Sequence, residues 1–167
     1  MGTGSPGTLY TVRQQLFTIH QDFEVHDASG ARIMSAHGNG LRVMDKIDLC
    51  DAQGTPVLQI RERPGVRPHV DVESNGKKLI SIGERRVGLK DRFVIETPMP
   101  AKFDIVGNVW STRYTITING ETAAQVMMEP GLVKADTYDV LVAEGKAPRI
   151  LFGIIIAVDI LTHKGKR

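Results

Sequence analysis

The apolar segment ILFGIIIAVDIL, residues 150–161, constrains the fold more than any other part of the chain, since eleven of its twelve residues are apolar or glycine. A helix needs about 20 residues to cross the hydrocarbon core of a bilayer. Even when extended to residues 148–163 the segment reaches only about 24 Å as a helix, with Asp159 inside it. The segment is therefore predicted to be the inside of a folded domain and not a membrane span.

The same segment carries the start and stop signals of a helix over about residues 148–163. Pro148 suits the first turn, where its missing N–H is not needed. His163 and Lys164 supply positive charge at the other end, and Gly165 supplies a C-cap. The β-branched residues in the run favour a strand, but the length of the run favours the helix. Apolar positions cover every face of this helix, so other elements must surround it.

Turn signals recur every 22 to 25 residues along the rest of the chain. They are the segments DASG, DAQG, ESNG, TPMP, TING and AEGK, which place turns at Gly30, Gly54, Gly76, Pro98, Gly120 and Gly145. Between the turns apolar and polar residues alternate, most clearly at Tyr114, Ile116 and Ile118. Two strands of roughly five to eight residues with their turns consume that length, so six repeats predict about twelve antiparallel strands.

A sheet of this size can close into a barrel that is wide enough for one helix. A barrel of about eight strands is filled by its own side chains and one of about sixteen leaves a water channel, whereas a helix is about 10–12 Å across. The sequence therefore predicts a mainly β protein, a closed antiparallel barrel of about twelve strands around a buried hydrophobic C-terminal helix. A β-sandwich with the helix on one face is the alternative. Residues 1–8 are expected to form a flexible tail, and residues 9–165 a single domain.

Length and composition fit one globular domain, because the chain has 167 residues, of which 41% are hydrophobic and 24% are charged. The single cysteine, Cys50, excludes an internal disulfide, and the first thirty residues lack the pattern of a secretory signal. We therefore expect a cytoplasmic protein that is peripheral to a membrane if it binds lipid.

The chain shows none of the common catalytic or metal-binding motifs. Its five histidines are scattered, and it contains no HExxH, no cysteine pair, no GxxxxGK and no GxSxG. Cys50 has no adjacent histidine and is expected to be a small buried or half-buried residue and not a nucleophile. Asp27 and Asp51 each precede a turn glycine by three residues, so turn chemistry explains them. No enzymatic activity, metal or cofactor is predicted.

Positive charge is concentrated between residues 61 and 92, which contain nine basic and five acidic residues. Arg61 and Arg63 are two apart on a predicted strand and therefore share one face. The candidate residues for binding an anionic ligand are Arg61, Arg63, Lys77, Lys78, Arg85 and Arg86. A solvated basic face without a ligand is the alternative. Nucleic acid is not favoured as the partner, because Phe93 is the only aromatic residue in this region.

The order of several short segments resembles the LURP-one-related family of the tubby C-terminal-like superfamily, which also includes phospholipid scramblases. The segments are LYTVRQQLFTIHQDFEVHDASG, DLCDAQGTPVLQIRER, FDIVGNVW, DTYDVLV and LFGIIIAVDIL. The resemblance implies a twelve-stranded barrel closed around a hydrophobic C-terminal helix, with Asp159 where the scramblase helix carries an aspartate. The acidic, calcium-linked segment of scramblases is replaced here by AEGKAPR. Calcium dependence is therefore not expected.

Charge and resemblance together indicate a non-enzymatic domain that binds anionic phospholipid or phosphoinositide headgroups through a basic patch on the barrel wall, as tubby-like domains do. Two alternatives stay open. Scramblase-like lipid transport would require the last helix to leave the barrel. A protein-interaction or structural module would be favoured by a large apolar patch on the outer wall. Asp159, a carboxylate on an apolar helix, is expected to be a structural cap at one end of the barrel.

Overall fold

The computed structural model describes residues 7–15, 22–38, 46–87, 90–108, 113–129 and 137–164, which form twelve strands followed by one helix. The strands are β1 (Gly7–Gln15), β2 (Asp22–Asp27), β3 (Arg32–Gly38), β4 (Lys46–Asp51), β5 (Pro56–Arg63), β6 (His69–Ser74), β7 (Lys77–Val87), β8 (Lys90–Glu96), β9 (Phe103–Asn108), β10 (Arg113–Ile118), β11 (Glu121–Glu129) and β12 (Thr137–Ala143), and the helix is α1 (Pro148–Lys164).

The strands form one antiparallel sheet in the order β8-β7-β6-β5-β4-β3-β2-β1-β12-β11-β10-β9. The sheet curves into a nearly closed barrel, and α1 packs against its inner face. The predicted twelve antiparallel strands and buried C-terminal helix are confirmed. The closure is incomplete, because β8 and β9 contact each other without forming a ladder.

The turns that the sequence predicts all lie at one end of the barrel, which we call the turn end. In an up-and-down sheet every second connection returns to the same end, which explains the spacing of the turn signals. The five turn glycines, which have φ between 76° and 86°, are Gly30, Gly54, Gly76, Gly120 and Gly145. Asn75 and Asn119, which precede two of them, also have positive φ, as expected for asparagine-glycine hairpin turns that match the twist of the strands.

Two of the turns are closed by an aspartate side chain. Asp27 Oδ1 accepts backbone hydrogen bonds from Ser29 at 2.9 Å and Ala31 at 3.0 Å. Asp51 accepts the same two bonds from the residues two and four positions later. A hydrogen bond from the Ser29 hydroxyl contributes most to the lowered pKa of Asp27. The prediction that turn chemistry explains both aspartates is confirmed.

The core lies between α1 and the inner face of the sheet. All residues from 151 to 162 are buried. Strand side chains alternate as predicted; on β5, for example, Leu58 and Ile60 are buried and Gln59 is half-buried. Near the turn end the ring of Tyr10 packs edge-on against Phe152, with their centroids 5.1 Å apart.

β1 begins at Gly7, inside the stretch predicted as a tail. The other residues of that stretch lie outside the described ranges, so the domain boundary stays a prediction. In the described part of the chain, no helix combines the length and the apolar character needed to cross a bilayer.

α1 approaches β5 and β6 closely at Gly153. A Cβ atom at this position would lie 3.1 Å from Val72 Cγ1 and 3.3 Å from Leu58 Cδ1. These distances are tighter than ordinary carbon contacts, so only a residue without a side chain fits without displacing the sheet.

We expect Gly153→Val to lower the free energy of unfolding by about 1–3 kcal/mol, because its methyl groups would overpack this contact. Urea unfolding measures the change. Ala147→Val, at an exposed position just before α1, is the matched control and should have a much smaller effect. Equal stability of Gly153→Val and the unchanged protein would contradict the close packing of α1 on β5 and β6.

Candidate functional site

Arg61 and Arg63 share the outer face of β5, as the sequence predicts, since they alternate with the buried Ile60 and Glu62. Asp71 and Glu73 lie beside them on the outer face of β6. Both carboxylates are buried although they point away from the core. This arrangement brings two guanidinium groups and two carboxylates together on the barrel wall.

Ion pairs neutralise these two arginines. Arg63 donates to Asp71 Oδ2 at 3.1 Å and to Glu73 Oε1 at 3.4 Å. Arg61 Nε lies 3.6 Å from Glu73 Oε2. Because buried carboxylates need compensating charge, both arginines are committed to the wall itself. The pairing could not be seen in the sequence, because it depends on the register that sets Arg61 opposite Asp71.

A groove of about 470 Å³ lies next to this cluster, on the outer face of β6, β7 and β8. Gly83 of β7 pairs with His69 on one side and with Val94 on the other, and it has no side chain to fill the space between them. The polar groups on the groove lining include Arg67, His69, Lys78, Ser81, Arg85 and Glu96. The basic patch thus has a hollow in which a small ligand can be seated.

Cations lie at both ends of this groove. Arg67 and Lys78 are exposed, and in the described ranges neither forms an ion pair. Arg85 pairs with the exposed Glu96. Glu84 also belongs to the lining, whose three cations therefore outnumber its two carboxylates by one.

His69 adds a polar side chain at the end of the groove that carries Arg67. Its Nδ1 donates a hydrogen bond to the Arg67 carbonyl oxygen at 3.1 Å, because a carbonyl can only accept. Its Nε2 lies 3.7 Å from Asp71 Oδ1. The ring thus links the groove to the neutral cluster on β5 and β6.

The structure divides the six basic residues that the sequence selects. Lys78 and Arg85 line the groove, whereas Arg61 and Arg63 belong to the ion-pair cluster. Lys77 is exposed at the turn end and is not part of the groove lining. The side chain of Arg86 lies outside the described part of the structure. Arg67 and His69 were not predicted as site residues; the available signal in the sequence was Gly83, an isolated glycine within a strand.

Asp159 lies inside the barrel, at the end away from the turns. The Tyr138 hydroxyl on β12 donates a hydrogen bond to Asp159 Oδ1. Tyr114 is also close, and burial followed by the charge of Asp159 raises the pKa of its hydroxyl. These contacts support the structural role expected for Asp159, which stays a prediction.

Cys50 is buried, as predicted. Burial, with the charges of Asp48 and Asp51, raises the pKa of its thiol. A thiol with a raised pKa is a poor nucleophile at neutral pH, because the reactive thiolate is scarce. In the described ranges, no group of three histidine, cysteine or acidic residues could hold a metal ion.

The model of one protein family, LURP-one-related, matches residues 8–159. The chain belongs to the LURP-one-related family. The match runs from β1 through β12 into α1, so this LURP-one-related domain includes nearly every described strand and most of the helix. The barrel is consistent with the tubby-like relation of the family. No curated protein and no solved structure matches the chain significantly, so no relative assigns a role to the groove.

We expect Tyr138→Phe to lower the free energy of unfolding by about 1–3 kcal/mol, because the buried carboxyl group of Asp159 loses the hydrogen bond from the Tyr138 hydroxyl. Chemical unfolding measures the change. Tyr10→Phe is the control, because the Tyr10 hydroxyl makes no hydrogen bond within the described residues and its ring contact would remain. Similar losses of unfolding free energy in both variants would show that the Tyr138–Asp159 hydrogen bond does not stabilise the fold.

Proposed function

We propose that this LURP-one-related domain is a non-enzymatic binding module that recognises the phosphorylated headgroup of an anionic membrane lipid in the groove on β6, β7 and β8. The observation that carries the proposal is that Arg67, which has no ion pair in the described ranges, and Arg85 both line the groove at Gly83. Guanidinium groups bind phosphate through charge-assisted hydrogen bonds that are often bidentate. Lys78 supplies a further cation at the turn end of the groove.

In this proposal Arg61 and Arg63 support the site and do not touch the ligand. They compensate Asp71 and Glu73, whose negative charge would otherwise lie directly beside the groove and repel phosphate. The domain would then act as a peripheral membrane protein.

Scramblase-like transport would require α1 to leave the barrel. The complete burial of residues 151–162 argues against that alternative, because removing α1 would expose the core.

We expect the protein to sediment with vesicles that contain phosphoinositide, and to do so best at low salt. Arg67→Glu should weaken binding about tenfold or more, because a charged hydrogen bond contributes about 1.5–3 kcal/mol. Arg13→Glu, an equal charge change on the exposed face of β1, is the matched control.

Two results would contradict the proposal. One is a lack of binding to any anionic vesicle at low ionic strength. The other is an equal loss in Arg67→Glu and Arg13→Glu, which would mean that net charge and not the groove determines binding.

An apolar patch on the outer wall favours a second function, protein interaction. Leu9, Val106, Met127 and Leu141 are all exposed, and they line a hollow of about 620 Å³ across β9 to β12 and β1. Arg113 and Asp139 lie on the same surface, so a two-fold pair of copies can set the arginine of one copy against the aspartate of the other.

If this patch forms a dimer, sedimentation equilibrium should show two copies, and Met127→Glu should convert them to monomers. Val66→Glu, at an equally apolar but isolated exposed position, should leave the dimer intact. If the protein is a monomer even at high concentration, the apolar patch does not form a two-fold dimer.

A further inference from the structure

The barrel wall is interrupted between β8 and β9, and we call this interruption the seam. These two strands are the ends of the sheet. They touch, but no backbone hydrogen bond joins them in the described part of the chain. All other neighbouring strands are joined by registered ladders. Both edges of the sheet therefore lack a strand partner at the seam.

The connection between β8 and β9 explains why they do not pair. It is six residues long and contains two prolines, whereas β6 and β7 are joined by two residues. Its first residue is tied to β7, because the Thr97 hydroxyl donates to the Leu79 carbonyl at 2.6 Å. Its last residue, Lys102, exchanges hydrogen bonds of 2.8 and 2.9 Å with Asn119 in the turn after β10. The connection is thus anchored on both sides and does not draw the strands into a hairpin.

A cavity of about 780 Å³ lies in the seam. Residues from both faces of the wall line it, as expected for a cavity that runs along the unpaired edges of the two strands. The inward-facing lining consists of Phe93, Ile95, Phe103 and Ile105, which belong to or pack against the core. The outward-facing lining includes Arg92, Val94, Val106 and the ion pair between Lys102 and Asp104, so Arg92 carries its excess positive charge.

We propose that the seam binds an extended peptide segment of another protein, which adds as a strand to the edge of β8 or β9. β8 has seven residues and β9 has six, so the added strand pairs over about six residues. The seam adjoins the headgroup groove, since Val94 of β8 lines both, but the proposal does not depend on a ligand in the groove.

The backbone of the two edges selects a peptide over an acyl chain. An acyl chain could cover the apolar side chains, but it would cut the N–H and C=O groups of the edges off from water without replacing their hydrogen bonds. A peptide strand pairs those groups and also covers the side chains.

The lining also defines the side chains of the partner. Alternate residues of an added strand point to opposite faces, so every second residue meets the phenylalanines and isoleucines and must be apolar. The outward residues meet Arg92, which is exposed and has no ion pair in the described ranges. A peptide that alternates apolar with acidic residues is therefore the preferred partner.

Hydrogen exchange on the full chain tests the proposal, with an acetylated eight-residue peptide that alternates isoleucine with glutamate and threonine as the probe. In the free protein, amides of β8 and β9 should exchange faster than those of β11, which is paired on both sides. Saturating peptide should slow exchange in β8 or β9 at least tenfold. The same peptide with alternate backbone nitrogens methylated should give no protection.

Charge-reversal variants test whether the acidic side chains of the peptide face Arg92. Arg92→Glu should weaken binding of the acidic peptide at least fivefold. Arg13→Glu, an equal charge change on the exposed face of β1 and away from the seam, is the matched control and should bind as the unchanged protein does.

Four outcomes would overturn the proposal. They are full protection of β8 and β9 without peptide, equal binding of the methylated peptide, oleate binding that displaces the peptide without protecting any amide, and a dimer that persists in Met127→Glu and protects the same amides. The last result would mean that a second copy, and not a foreign peptide, fills the seam.

Discussion

The covering of α1 by the sheet is the interaction on which the rest of the structure depends. An isolated α1 would expose apolar side chains on every face, and each one that is buried contributes about 1.5–3 kcal/mol. A flat sheet could cover only one side of such a helix, so the sheet must curve around it. The curvature then directs one residue of every alternating pair to the core and the other to the outer wall. The groove, the ion-pair cluster and the apolar patch all lie among the residues on that outer wall.

Much of this architecture could be predicted from local signals. The glycines at positions 30, 54, 76, 120 and 145 mark turns because each adopts a positive φ that other residues avoid. The period-2 pattern at Tyr114 and Ile116 gave the inward face of β10 correctly. Pro98 also marks a turn, but the strands that its connection joins, β8 and β9, form no ladder. That difference depends on hydrogen bonds to Leu79 and Asn119, which are distant in sequence, so no local pattern could reveal it.

The candidate site was predicted only in part, for a related reason. Basic residues can be counted in a sequence, but their availability depends on what the neighbouring strand sets opposite them. Arg63 meets Asp71, whereas Arg67 has no ion pair in the described ranges. The groove also forms because Gly83 has no side chain. That gap matters only where β6 and β8 flank it, and the sequence does not show which strands are neighbours. The position of the basic residues in the fold, and not their number in the sequence, determines which of them are available to bind a ligand.

The chain order of the elements also determines when the protein can fold. β1 pairs with β12, and α1 follows every strand, so the first strand waits for the last elements to emerge from the ribosome. At a synthesis rate of about 5–20 residues per second this delay is roughly 7–30 seconds. During that time the valine- and isoleucine-rich inner faces of the strands have no helix to pack against, so the nascent chain is prone to aggregate. Production of the protein in cells should accordingly depend on chaperones that shield unfinished chains.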